Sequence, residues 1–164
     1  MNLQLRTATT QDLPAIRCLW QHLTEFHTTL GLAFSGGEKA ALAWQASFER
    51  TLGRFSFLWV AELEANVEGF LLARVKHTPA YLGSALVGEI SDLWVEPVLR
   101  RQGAAAGLVQ RAMQEFHNLS VHSVEVQIMA ANQEGLAFWQ KQGFTPELIQ
   151  VRHCFSKETE RQHA

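Results

Sequence analysis

The sequence predicts an α+β domain, a mixed and mostly antiparallel sheet of about six or seven strands flanked by about four helices. Three observations carry this expectation. Residues 55–63 and 67–75 alternate with period two and are joined by Glu64-Ala65-Asn66, which reads as a hairpin turn. Other stretches repeat their apolar residues at helical spacing. Two β-rich runs, residues 85–95 and 121–129, bracket a helix, and such a βαβ unit demands parallel pairing inside the sheet.

The elements follow in order. Residues 3–6 form a first strand. Thr9 or Thr10 caps a helix whose first turn holds Asp12 near the positive dipole end, and Leu13, Ile16, Trp20 and Leu23 mark its buried face. The pattern fades near Thr28 and gives way to a loop over 31–37. A second helix covers 38–52, with Ala41, Trp44 and Phe48 on one face, and Gly53 ends it. The hairpin comes next, then a turn over 78–83. The strand 85–95 breaks at Pro97, and residues 100–103 form a turn. From Ala104 a helix carries Leu108, Ala112 and Phe116 at its core spacing. In the strand 121–129, Val124, Val126 and Ile128 alternate with Glu125 and Gln127. Asn132 caps a last helix containing Leu136, Phe138 and Trp139, and residues 148–155 read as a final strand. No repeat or linker divides the chain, so residues 1–156 are one domain and 157–164 a polar tail.

Composition bounds the function. A chain of 164 residues buries roughly two-thirds of its unfolded surface, enough for a proper core. The apolar share of 47% and charged share of 18% are those of a globular protein. A net charge of -2 with no basic face argues against a nucleic-acid partner. No apolar run is long enough for a bilayer, and the first residues lack the pattern of a signal peptide, so no membrane partner and a cytoplasmic location are expected. Cys18 and Cys154 read as reduced packing residues, and the histidines lack metal-ligand spacing, so no metal is expected.

Chemistry concentrates between residues 93 and 108. A strand runs into a basic turn, Arg100-Arg101-Gln102-Gly103, and then into a helix that opens on Ala104-Ala105-Ala106. The first turn of a helix has free N–H groups and a dipole that favours negative charge. Small residues let a phosphate approach those groups without meeting a side chain. The Walker pattern is absent because Leu108 and Val109 follow Gly107. The three spaced glycines of the dinucleotide fingerprint are absent too.

Arg100-x-x-Gly103-x-Ala105 resembles the pyrophosphate signature Gln/Arg-x-x-Gly-x-Gly/Ala of the GNAT superfamily of acyl-CoA N-acyltransferases. Leu93-x-Val95-x-Pro97 resembles that family's preceding strand, and Val60-Ala61-Glu62 with Val67-Glu68-Gly69-Phe70 its central hairpin. Asn132, Phe138-Trp139 and Gly143-Phe144 resemble its later motif, usually Asn … Phe-Tyr-x-x-x-Gly-Phe. The motifs span most of residues 55–144 in the family's order.

The resemblance implies the GNAT fold and transfer of an acetyl group from acetyl-CoA to a primary amine, by direct attack in a ternary complex. It implies that the fourth and fifth strands splay apart around the pantetheine arm, which bonds the main chain of Leu93, Trp94 and Val95. Arg100, Arg101, Gln102, Gly103, Ala104, Ala105 and Ala106 would hold the pyrophosphate, and Asn132 and Phe138 would flank the arm. Glu25, Phe26, His27 and Phe34, near the loop between the first two helices, would border the acceptor, a small-molecule or peptide amine.

For catalysis the fourth strand offers Glu89 and Asp92 as the carboxylate that takes the amine proton. Strict alternation puts them on opposite faces, although relatives commonly carry a bulge here that changes this. Relatives often have an acidic pair where Ser91-Asp92 stands, and Glu89 is the favoured base. The N–H of Val95 or Trp94 is the expected donor to the oxyanion. Trp139 stands where relatives have a tyrosine acid, and Tyr81 is the only tyrosine in the chain. The alternative reading is an acyl-CoA-binding module without turnover. The last strand, if exposed, could pair with a second copy to give a homodimer.

Overall fold

In the computed structural model, which describes residues 2–34 and 36–155, five strands form one sheet in sequence order. They are β1 (Leu3–Thr7), β2 (Ser56–Leu63), β3 (Asn66–His77), β4 (Leu86–Val95) and β5 (Val124–Val126). Neighbours β1 to β4 pair antiparallel, and β4 pairs with β5 in parallel. The helices are α1 (Leu13–Thr29), α2 (Glu38–Glu49), α3 (Ala104–Asn118) and α4 (Gln133–Lys141). Among the described residues, no helix is long and apolar enough to cross a membrane. The polar tail expected over 157–164 lies outside the described residues.

Period-two alternation gives the sheet two apolar faces, and each buries its own helices. Leu58, Val60, Phe70 and Leu72 pack against Leu13, Ile16, Leu19 and Leu23 of α1 and Phe48 of α2. Ala61, Leu71, Ala73 and Ile90 pack against Leu108, Val109, Ala112 and Phe116 of α3 and Trp139 of α4. Gly88 is a close approach on that side, since a Cβ there would sit 2.6 Å from the Phe116 ring. Removing the side chain lets β4 lie flat on α3.

Two expectations need correction. The strand expected over 148–155 does not form: the chain beyond α4 is irregular and exposed as far as residue 155. Its alternation is present, but a strand also needs a neighbour to bond, and among the described residues no strand pairs with it. The strand expected over 121–129 contracts to Val124–Val126, because β4 bends away beyond Ile90. As expected, Thr9 caps the turn that leads into α1, and the acid of that first turn is Asp12. Its carboxylate accepts from the Thr9 N–H (2.7 Å) and receives both guanidinium nitrogens of Arg6 (2.8 and 2.9 Å).

That ion pair predicts an acid limb of stability. Hydrogen bonds from Arg6 hold the buried Asp12 carboxyl at about 2, below its ordinary 3.8. The stabilisation is complete above the ordinary value and is lost as pH falls through 2. One pKa unit corresponds to about 1.4 kcal/mol, so the pair contributes about 2 kcal/mol at neutral pH. Asp12→Asn is expected to lose about that much at pH 7 in urea unfolding and to flatten the pH dependence below 4.

Candidate active site

The site begins with a bulge. Leu72 of β3 pairs with Asp92, but the next residue, Ala73, pairs with Ile90, so Ser91 is an inserted residue. An extra residue bends its strand and resets its alternation. Glu89, Asp92 and Trp94 therefore all fall on the α1/α2 face, opposite Arg74, Leu72 and Phe70. Strict alternation would have set Glu89 and Asp92 on opposite faces; the bulge named as the alternative is the one that occurs.

The bend also opens the sheet. β5 follows β4 only along Gly88, Glu89 and Ile90. Beyond that point β4 and the chain after Val126 diverge around a cleft of about 300 Å³. Its walls include Asp92, Leu93, Trp94 and Val95 on one side and Gln127, Ile128 and Met129 on the other.

Backbone polarity along this open edge follows from the register. The Glu96 N–H donates to the Glu68 carbonyl (2.8 Å), and alternate residues of an antiparallel ladder bond to the same neighbour. Trp94 and Asp92 therefore turn their backbone groups to β3, while Leu93 and Val95 turn theirs to the cleft. The Val95 carbonyl receives Arg100 Nε there (3.3 Å), and the Arg100 guanidinium lies 5.1 Å from the centre of the Trp94 ring. Of the two oxyanion donors considered, Val95 is the one whose N–H faces the cleft.

At the end of the cleft stands the start of α3. Arg101 and Gly103 both adopt left-handed backbone, with φ of 61° and 81°. Glycine takes that conformation freely, whereas arginine is strained in it. The first intrahelical bond runs from the Gly107 N–H to the Gly103 carbonyl (2.9 Å), which leaves the amides of Ala104, Ala105 and Ala106 without an intrahelical acceptor. The Gln102 amide differs: it donates to the Leu99 carbonyl (3.3 Å), and its side chain bonds the Val98 carbonyl (2.5 Å). Arg101 is exposed and does not line the cleft.

On the opposite wall, the Asn132 side chain accepts from the Gly135 N–H (2.8 Å) and caps α4. Phe138 is half-buried in the lining. Trp139 is wedged edge-on between Phe138 and Phe144, with ring centres 5.2 and 5.0 Å away. Tyr81 is 86% exposed on the turn between β3 and β4 and does not line the cleft.

Asp92 is the most heavily constrained acid here. It accepts from Trp20 Nε1 of α1 (3.0 Å), Trp44 Nε1 of α2 (3.3 Å) and its neighbour Ser91 Oγ (2.7 Å). The two indoles stack at 5.2 Å. Burial pushes the Asp92 carboxyl above its ordinary value, and the three donors and the charge of Arg74 pull it back down. Glu89 has a different setting, outside the cleft lining, where it pairs with Lys76 (3.4 Å), which also meets Glu125 (2.5 Å).

Of the acceptor-side candidates, Phe26 and His27 line the cleft, whereas Glu25 is exposed outside it and Phe34 is exposed in the loop after α1. Burial lowers the His27 pKa, and the Asp92 charge opposes this. Two features carried no sequence signal. His22 Nδ1 meets Glu96 Oε1 beside the cleft, and the indole N–H of Trp94 is buried without a partner among the described residues. A larger hollow of about 530 Å³ lies elsewhere, between Thr7–Thr10, Leu52 and Phe57–Trp59. Glu115 is the one ionisable group lining it, so it offers no paired chemistry.

The comparisons agree with this geometry. No curated protein matches the chain by sequence. Among solved structures, a Trypanosoma brucei acetyltransferase is 20% identical with a TM-score of 0.70, covering 94% of this chain and 100% of that one. The aminoglycoside acetyltransferase AAC(6')-Iy, solved with a bisubstrate analogue joining CoA to acetylneamine, is 18% identical with a TM-score of 0.73 over the same shares. A protein described as a transcriptional regulator from Bacillus halodurans is 16% identical with a TM-score of 0.74, also over 94% and 100%. These likenesses establish the fold. The family model of the acetyltransferase (GNAT) family matches residues 18–144, most of the chain and all of the cleft, and the protein belongs to that family.

Proposed function

We propose that the protein is an N-acetyltransferase that moves an acetyl group from acetyl-CoA to a primary amine by direct attack in a ternary complex. The observation that carries this reading is the continuity of the open β4 edge with the free amides at the start of α3. Leu93 and the Val95 N–H turn backbone groups to the cleft, as an added strand would need. The amides of Gly103, Ala104, Ala105 and Ala106 suit a diphosphate, with Arg100 beside them. The unpartnered Trp94 indole N–H is a further donor awaiting an acceptor, since leaving it unmade costs about 1–3 kcal/mol.

When bound, acetyl-CoA supplies an activated acyl group on a sulfur leaving group. The chain supplies the rest. An alkylamine with a pKa near 10.4 is protonated at pH 7, and removing that proton costs roughly 4–5 kcal/mol. Asp92, directly or through water, takes it. The Val95 N–H, which faces the cleft, would donate to the negative charge that grows on the thioester oxygen. No side-chain acid is needed at sulfur: Trp139 cannot protonate it, and a thiol with a pKa of about 8.5 leaves tolerably as the thiolate.

A small-molecule amine is the acceptor class we favour. Asp92 shares the cleft with the aromatic walls of Phe26 and Trp94, which suits a cation, and two of the similar structures described as aminoglycoside acetyltransferases were solved with such an amine or its conjugate. Trp139 in the usual tyrosine position favours the second reading, a binder without turnover. Free-thiol release from acetyl-CoA across a panel of polyamines, aminoglycosides, amino acids and peptide amines separates the two. Acceptor-dependent release is expected; tight acetyl-CoA binding with no release for any amine makes the protein a binder.

A further inference from the structure

β2 runs on past the end of β1. Their last pair joins Thr7 to Trp59. The Ala8 N–H makes one more bond, to the Leu58 carbonyl (2.8 Å), and the chain then leaves the sheet for α1. The hollow of about 530 Å³ lies where that pairing stops, and none of its lining residues lines the acyl cleft. Its volume is that of a small-molecule site, and its mainly apolar wall with a few polar groups is the usual make-up of one.

Two parts of the wall give it a chemistry. Phe57 and Trp59 alternate along β2 onto the α3 face of the sheet, and their rings stack at 6.2 Å and 21°. Glu115 comes from α3. It continues the helical spacing of the buried Leu108 and Ala112, at a position where an apolar residue is the rule. It is half-buried and forms no ion pair among the described residues. A carboxylate partly withdrawn from water gains from a counter-charge, and aromatic faces attract cations. Rings and acid together therefore select a positive ligand.

The rest of the wall narrows the class. A primary ammonium asks for three acceptors at once. Glu115 is the one ionisable acceptor here, and the Thr9 hydroxyl is turned to Asp12 (3.1 Å). A quaternary ammonium asks for no hydrogen bond and spreads its charge over methyl groups, which suit Ala8, Leu52 and the two rings.

We propose that this hollow is a second binding site, apart from the acyl cleft, for the quaternary ammonium group of a small molecule, with Phe57 and Trp59 as its aromatic wall and Glu115 as its counter-charge. A quaternary nitrogen has no proton to lose and cannot be acetylated, so the site is independent of whether the cleft transfers acetyl groups.

Titration of the full chain with choline, followed by amide and indole NMR against sodium chloride at equal ionic strength, tests this. Saturable shifts are expected at the amides of Thr7–Thr10 and Gly53 and at the Trp59 indole N–H, with the amides of Asp92–Val95 unmoved. The neutral isostere of choline, in which carbon replaces nitrogen, is expected to bind at least about tenfold more weakly. Glu115→Gln keeps the shape and removes the charge, and is expected to weaken choline by about the same factor while the spectrum stays that of a folded chain. Phe57→Leu keeps an apolar side chain without a ring and is expected to weaken choline as well. Shifts confined to the cleft, no saturable shift, equal binding of the neutral isostere, or unchanged affinity in Glu115→Gln would each overturn the proposal.

Discussion

Gly103→Glu is expected to weaken acetyl-CoA binding by at least about a hundredfold, or roughly 2.7 kcal/mol. Gly103 sits at φ +81° with nothing within 4 Å of an added Cβ, so the new side chain would stand in open space before the α3 amides. A carboxylate there meets a diphosphate with like charge and bulk, at the one place where the dipole should favour the ligand. Gly103→Ala separates the causes. It brings only the backbone strain of a left-handed non-glycine residue, about 1 kcal/mol, and lowers stability more than affinity. Titration calorimetry of both variants reads the difference.

Asp92→Asn is expected to lower kcat/KM by roughly 10²- to 10⁴-fold while acetyl-CoA affinity is retained. It should also remove the acidic limb of the pH profile. In the unaltered protein that limb is expected above the ordinary carboxylate range, because burial raises Asp92. The sign for its partners follows. Trp20→Phe deletes an N–H that favours the charged carboxylate, so the limb should move to higher pH, with Trp44→Phe acting in the same direction. Glu89→Gln should leave the limb in place, since Glu89 faces Lys76 outside the cleft. A limb that vanishes in Glu89→Gln and persists in Asp92→Asn would transfer the base to Glu89.

The parts of this site that were legible in the sequence are local. The basic turn, the small residues opening α3 and the hairpin declare themselves through neighbours a few positions apart. The bulge at Ser91 does not, because it arises from pairing with β3; only the resemblance to relatives that carry one pointed to it, and it moves Asp92 onto the face of Glu89. The convergence of Trp20 and Trp44 on Asp92 crosses 72 and 48 residues, and their helical spacing reads only as core. The stretch 148–155 shows the opposite failure. Its alternation is that of a strand, but a sequence pattern cannot name the partner, and its own sheet does not provide one. The place of Asp12 in the first helical turn is equally local, whereas its pairing with Arg6 on the preceding strand is not.

The most direct measurement is a crystal structure of the protein with acetyl-CoA. The result expected has diphosphate oxygens about 3 Å from the amides of residues 103–106, the pantetheine along Leu93–Val95, and the thioester oxygen at the Val95 N–H. A diphosphate bound away from the start of α3, or a cleft closed between β4 and Gln127–Met129, would contradict it.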